Sequence, residues 1–102
     1  MRECCKVWLS EQFGGDNAVV DAVYGRYAAS IKSKVAEMRP LLTSADWHSL
    51  DRAAHAVKGA ALSTGDEPLA NAAVSLRAAI SAADASECER LTAEMEELAS
   101  LL

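Results

Sequence analysis

Hydrophobic residues recur every three or four positions along four successive segments of the chain. This spacing places them on one face of an α-helix, so each segment is predicted to be an amphipathic helix. A shorter helix over residues 3–13 precedes them, with Val7, Trp8, Leu9 and Phe13 as its apolar contacts. The predicted buried positions of the four longer helices are Val20, Tyr24, Tyr27, Ile31, Val35 and Met38; Trp47, Leu50, Ala54, Val57 and Ala61; Leu69, Ala73, Leu76, Ile80 and Ala83; and Cys88, Leu91, Met95, Leu98 and Leu102.

Residues typical of helix ends separate the five segments. Because the connectors are only a few residues long, consecutive long helices are expected to be antiparallel. The sequence therefore predicts an all-α fold: an antiparallel up-down-up-down four-helix bundle with a short extra N-terminal helix, formed by residues 1–102 as a single domain. The predicted end signals, in chain order, are Gly14-Gly15 after the first helix, Asp16 as cap of the second, Pro40 as its stop, Thr43 or Ser44 as cap of the third with Asp46 in its first turn, Gly65 as its end, Asp66 as cap of the fourth with Pro68 in its first turn, and Asp84 or Ser86 at the start of the fifth.

The composition agrees with a small helical protein and argues against several functions. A formal net charge of −5 is unlike that of nucleic-acid-binding proteins, which are normally basic. No apolar run approaches the roughly 20 residues that cross a membrane. The N-terminus lacks the hydrophobic segment of a signal peptide, and the three cysteines show neither a disulfide framework nor a zinc spacing. We therefore expect a cytoplasmic protein without a metal ion or cofactor of its own.

The third helix carries the candidate chemistry, in the stretch Ala54-His55-Ala56-Val57-Lys58-Gly59. At about 100° per residue, His55 lies opposite the buried stripe, with Gly59 one turn further along and Lys58 on its flank. A glycine inside a helix costs about 1 kcal/mol relative to alanine, so Gly59 calls for a packing or an access reason. An exposed imidazole beside a cation and a missing side chain leaves room for a large anionic group. A solvated surface histidine is the alternative interpretation of His55.

Two further residues are predicted to lie on or near the same face of this helix. His48 precedes His55 by two helical turns, about 10 Å, which is too far for a shared metal ion. It has no lysine or glycine neighbour, so we expect it at the rim of a partner-binding surface. Leu62 is a candidate apolar docking contact, although single exposed leucines are ordinary on protein surfaces.

The sequence around His55 follows the pattern His-x-x-Lys-Gly, then two small residues, a glycine and a leucine. In this order it resembles the signature of histidine-containing phosphotransfer (HPt) domains of bacterial two-component phosphorelays. Phe13-Gly14-Gly15-Asp16 and Asp46-Trp47 also look like that family. The chain departs from the family pattern at Arg77, where a glutamate often follows the leucine, and at the two alanines, where serines are common. The matching residues are His55, Lys58, Gly59, Ala60, Ala61, Gly65 and Leu69.

The resemblance implies a phosphocarrier. His55 would accept a phosphoryl group through Nε2 from the aspartyl phosphate of a receiver domain in a hybrid histidine kinase. It would then pass the group to the receiver aspartate of a response regulator. Lys58 would offset the phosphoryl charge, and Gly59 would keep the docking surface flat. The chain would be a phosphotransfer intermediate and not an enzyme, since it has no Walker-type loop for ATP, and Mg²⁺ would belong to the partner receiver domain.

Two other functions remain open at the level of the sequence. A helical adaptor that binds or sequesters receiver domains without being phosphorylated would need the same fold. The dimerisation and phosphoacceptor domain of a sensor kinase also presents a histidine on a helix. That domain typically has an acidic residue directly after the histidine, where this chain has Ala56, and it builds its bundle from two chains. Four long helices in one chain favour a monomer.

Overall fold

Five α-helices form the computed structural model, which describes residues 1–102. Helices α2 and α3 pack together, as do α3 and α4, and α4 and α5, while α5 closes the bundle against α2. The shorter α1 packs against α2 and α3. This arrangement confirms the predicted four-helix bundle with an extra N-terminal helix. The helices are α1 (Glu3–Gln12), α2 (Asn17–Thr43), α3 (Trp47–Thr64), α4 (Glu67–Ser81) and α5 (Ala85–Ser100).

The predicted stripes meet in one core of 22 buried apolar residues. All six α2 positions are buried, and so are the four α3 positions from Leu50 to Ala61. Burial is less complete at the ends of the bundle: Trp47 is 37% exposed, Ile80 and Leu98 are half-buried, and Ala83 is exposed. None of the helices combines enough length with enough apolar character to cross a bilayer.

The predicted contacts of α1 are partly wrong. Only Leu9 of the four expected residues is buried, and Cys5, one turn before it, is its buried partner. Val7 and Phe13 are exposed. Trp8 is 38% exposed, although its side chain packs against the end of α3 at Gly65.

Pro40 does not stop α2, which continues to Thr43. Pro40 lacks an N–H and its ring crowds the preceding turn, but its carbonyl still accepts from Ser44 N at 3.0 Å, so the helix continues beyond it. The third helix consequently begins later than predicted, at Trp47. Its N-cap is Asp46 and not Thr43 or Ser44, and the Asp46 carboxylate accepts from Ser49 N at 3.2 Å. Hydrogen bonding with Ser49, through its side-chain hydroxyl first and its backbone N–H second, holds the pKa of Asp46 below its usual value.

Each of the four connectors ends in a left-handed residue followed by an aspartate. The left-handed residues are Gly15 (φ 78°), Ala45 (φ 55°), Gly65 (φ 72°) and Ala83 (φ 56°). After α2, α3 and α4 the following N–H returns to the last helical turn, as in a Schellman motif, for example Asp66 N to Ala61 O at 2.9 Å. The predicted roles of Asp16, Gly65 and Asp84 are confirmed.

Asp66 occupies the predicted cap position of α4, but its side chain does not cap the helix. The carboxylate is fully buried and accepts instead from Arg2 Nε at 2.7 Å, Arg2 Nη2 at 3.1 Å and the Tyr27 hydroxyl at 2.6 Å. Arg2 also donates to the Leu98 carbonyl at 2.8 Å. A buried carboxylate needs charged or hydroxyl donors to offset its lost hydration, which explains why it turns away from the helix end.

Candidate functional site

His55 lies in the middle of α3 with its side chain exposed to solvent. The helix is fixed underneath by Ala54 and Val57, which are both fully buried in the core. The Asp46 cap and the Gly65 end hold the two termini of the helix. The imidazole is therefore presented outward from a rigid element, as expected from the helical spacing.

A guanidinium from the neighbouring helix contacts the ring. Arg77 of α4 places Nη1 at 3.0 Å from Nδ1 of His55, while its Nε donates to Asp51 Oδ1 at 3.0 Å. Asp51 precedes His55 by one helical turn, so both contacts of Arg77 are made with the same edge of α3. The arrangement joins the half-buried carboxylate and guanidinium to the exposed imidazole through two polar contacts.

Lys58 and Gly59 follow His55 on α3 by three and four residues. Lys58 is half-buried, and its ammonium forms no ion pair or hydrogen bond within the chain. A Cβ added at Gly59 would meet no atom within 4 Å. Packing therefore does not explain this glycine, and the surface at this position is open.

His48 and Leu62 are both exposed, on opposite sides of His55 along α3. His48 lines a groove of about 510 Å³ between α3 and α4 that Asp51 and Arg77 also line. The groove connects His48 with the residue that contacts His55. Leu62 is 57% exposed and shares a smaller depression with Trp8 of α1, which is itself 38% exposed.

The exposed apolar surface near Leu62 is thus larger than the sequence predicted, because Trp8 was expected to pack inward. The Trp8 indole lies over the end of α3 and donates to the Ser63 carbonyl at 3.1 Å. A side chain at Gly65 would collide with the Trp8 side chain. This close approach fixes the indole at the surface beside Leu62.

One cluster of potential metal ligands lies elsewhere, formed by Cys4, Cys5 and Asp66, whose ligand atoms lie within 4.8 Å of one another. The Asp66 oxygens already accept from Arg2 and Tyr27. Burial raises the pKa of the Cys5 thiol to about 12, which disfavours the thiolate that binds metals. The residues of this cluster are better explained as a buried ion pair with two neighbouring thiols.

Sequence reasoning missed the contact between Arg77 and His55. In the sequence, Arg77 is notable only as a departure from the family pattern, and no feature singles out Asp51. The available signal was the spacing of Asp51 four residues before His55, which puts the carboxylate on the same helix edge. Nothing in the sequence indicates that a side chain from α4 reaches this edge.

The site offers an exposed ring nitrogen, an unpaired ammonium and open surface, which together suit an incoming anion carried by another macromolecule. Comparison with protein families found a match to the family model described as Hpt domain over residues 22–101. The matched range contains the whole of α3 and α4 and therefore every residue of the His55 site. Comparisons with curated proteins and with solved structures found no match.

Proposed function

The chain belongs to the Hpt domain family, and from this premise we propose that it is a phosphocarrier whose phosphoacceptor is His55. Membership of the family implies a phosphotransfer role in a phosphorelay and interaction with receiver domains. We assign the upstream receiver to a hybrid histidine kinase and the downstream receiver to a response regulator. The chain itself acts as a monomeric carrier and neither makes nor hydrolyses ATP.

The observation that supports this assignment best is the open, exposed surface at His55 and Gly59. A receiver carries its aspartyl phosphate in a recess, so the accepting imidazole must project from a surface that another domain can approach. No atom lies within 4 Å of the position where a Gly59 side chain would begin. The ring has one polar partner, at Nδ1, which leaves Nε2 without an intramolecular hydrogen bond.

In the transfer step, the Nε2 lone pair of His55 forms a bond to phosphorus. The bond between phosphorus and the aspartyl carboxylate oxygen breaks, and its electron pair leaves with the carboxylate. The three equatorial oxygens carry most of the charge of the transition state, so in-line positioning and nearby cations control the rate. Lys58 supplies an ammonium that is not neutralised by a carboxylate of this chain, and the Mg²⁺ used in transfer belongs to the receiver.

Two exposed residues extend the proposed docking surface along α3. Leu62, together with Trp8, offers an apolar contact on one side of His55. His48 offers a polar contact at the groove on the other side. Gly59 lies between His55 and Leu62 and keeps the approach uncrowded.

The test is transfer of radiolabelled phosphate from a phosphorylated receiver to the purified chain. His55→Gln should abolish acid-labile labelling while the thermal melting curve stays close to that of the wild type, since exposed substitutions usually change stability by less than about 0.5 kcal/mol. His48→Gln removes a proposed docking contact but not the phosphoacceptor, so this variant should still be labelled, at a lower rate.

Label that persists in the His55 variant and disappears in the His48 variant would reassign the phosphoacceptor. If the wild-type chain binds receivers but forms no phosphorylated intermediate, the chain is a helical adaptor and the phosphocarrier proposal is wrong.

A further inference from the structure

The contact between Arg77 and His55 constrains which ring nitrogen holds a proton. A guanidinium has only N–H donors, so Nδ1 of His55 must accept across the 3.0 Å contact with Nη1. A neutral imidazole carries one proton, which in this arrangement resides on Nε2. Asp51 holds the guanidinium in place by accepting from Nε at 3.0 Å.

We infer that Arg77 protects the phosphorylated form of His55 against loss of its phosphoryl group. This inference rests on the proposed function, because it concerns the phosphohistidine formed at Nε2. The Nδ1 proton of the attacking tautomer is released to solvent, so in that species Nε2 is bonded to phosphorus and Nδ1 has a lone pair. Arg77 can donate to this lone pair without rearrangement of the helices.

The protection follows from the way in which a phosphohistidine breaks down. The ring first takes up a proton at Nδ1, and the P–N bond then breaks as water attacks phosphorus. The bonding electrons return to Nε2, and a neutral imidazole leaves with its proton on Nδ1. A leaving group that is protonated in this way departs far more easily than an imidazolate. Arg77 competes with the proton for the Nδ1 lone pair, and its positive charge opposes a second positive charge on the ring.

The same contact delays acceptance of the phosphoryl group. The nucleophilic tautomer has its proton on Nδ1 and its lone pair on Nε2, so Arg77 must leave Nδ1 before Nε2 attacks. Arg77 therefore slows both the gain and the loss of the phosphoryl group at His55, and it prolongs the phosphorylated state. A glutamate at this position, as is common in the resembled family pattern, would accept from Nδ1–H and would have the opposite effect.

The charged groups around the ring come from the two helices that form this edge. Helix α3 contributes Asp51, Arg52 and Lys58, and α4 contributes Arg77. Arg52 is exposed and forms no ion pair or hydrogen bond through its side chain. It therefore provides a charge-matched control that lies three residues from His55 without touching the ring.

The test measures the lifetime of phospho-His55 after chemical phosphorylation with potassium phosphoramidate, which requires no receiver domain. All proteins carry His48→Gln, so that His55 is the single histidine of the chain. At pH 7 the expected order of half-lives is wild-type Arg77, then Arg77→Lys, then Arg77→Ala, then Arg77→Glu. Loss of one charged hydrogen-bond donor at an exposed site should shorten the half-life about three- to tenfold in Arg77→Ala.

The dependence on pH separates this protection from a purely structural role. The difference between Arg77→Ala and the wild type should vanish in acid, where both rings are protonated, and be largest near neutrality. The Arg52→Glu control should change the half-life much less than Arg77→Glu, although both change the charge equally. Equal half-lives of wild type and Arg77→Ala from pH 5 to pH 9, or phosphate on Nδ1 in the wild type, would overturn the inference.

A second measurement uses the unphosphorylated protein. Imidazole ¹⁵N chemical shifts should place the neutral-ring proton on Nε2 in the wild type and shift it toward Nδ1 in Arg77→Glu. The same tautomer in both proteins would contradict the claim that Arg77 selects the tautomer of His55. A further outcome is that receivers fail to phosphorylate the chain while the lifetime of phospho-His55 formed with phosphoramidate still depends on Arg77. That result would refute the proposed function and support the protective role of Arg77.

Discussion

Arg77 and Lys58, two cations of the His55 site, differ in their existing contacts. Arg77 is paired with Asp51 and hydrogen-bonded to the ring, whereas Lys58 has no carboxylate partner. An unpaired ammonium can turn toward an incoming phosphoryl group without first giving up an ion pair. Lys58 is accordingly the residue expected to offset phosphoryl charge during transfer.

Lys58→Ala should slow phosphoryl transfer about three- to tenfold, the size of effect typical of one solvent-accessible charge. A quenched time course of phosphoryl transfer from a phosphorylated receiver would give the rate, and thermal melting would verify that the fold is intact. Lys32→Ala is the matched control, because Lys32 is an exposed lysine of α2 without an ion pair. Equal rates in the two variants would remove Lys58 from the mechanism.

The sequence predicted at this scale which side chains face outward, but not what they touch. His55, His48 and Leu62 are exposed because helical periodicity fixes direction around α3. The contact of Arg77 with His55 depends on the register of α4 against α3 and on the rotamer of a long side chain. Neither quantity can be read from the spacing of residues along one helix.

Two glycines interrupt helices where nothing crowds them. Gly59 in α3 and Gly25 in α2 both have open space at the position of a Cβ, and neither has a positive φ. Both glycines therefore make their helices less stable than alanine would, and packing does not require either of them. Only Gly59 lies beside the proposed phosphoacceptor.

Gly59→Ala and Gly25→Ala should each raise the free energy of unfolding by about 0.5–1 kcal/mol, since alanine is the better helix former. Denaturant titration would measure this gain.

Gly59→Leu should instead slow transfer by about ten- to a hundredfold, because a bulky side chain displaces the docked receiver from its reactive geometry. Gly25→Leu serves as the control, and unaltered transfer in Gly59→Leu would show that access is not the reason for the glycine.

Helix existence was predictable from the apolar periodicity, but two helix boundaries were not. Pro40 suggested a stop, yet α2 ends in a Schellman motif whose left-handed residue is Ala45. Glycine is the usual residue at that position, so the alanine found here gives no sequence signal of the end of the helix. The aspartate that follows the left-handed residue in every connector, as Asp46 does here, was the signal that would have placed the start of α3.

At the scale of the whole molecule, polar contacts of Arg2 and Asp66 join the N-terminal segment to α2, α4 and α5. Arg2 pairs with Asp66 at the start of α4 and donates to Leu98 in α5, while Asp66 accepts from Tyr27 in α2. The family match begins at residue 22 and does not include Arg2. We propose that residues 1–102 nevertheless behave as a single domain, because this buried ion pair joins the segment to the matched part.

Arg2→Ala should lower the free energy of unfolding by about 3 kcal/mol, since it leaves the buried Asp66 carboxylate without its cation. Arg2→Ala combined with Asp66→Asn should recover much of that loss by removing the uncompensated charge. Arg26→Ala, at an exposed arginine without an ion pair, is the control and should have little effect. A similar small effect of Arg2→Ala would mean that the N-terminal segment is not integral to the fold.

The most direct test of the phosphocarrier assignment is to map the phosphate on the wild-type chain after brief incubation with a phosphorylated receiver domain. Mass spectrometry under alkaline conditions, which preserve phosphohistidine, would locate the modified residue. We expect a single phosphate on His55 together with loss of phosphate from the receiver. Phosphate on His48, or an unmodified chain beside a receiver that keeps its phosphate, would contradict it.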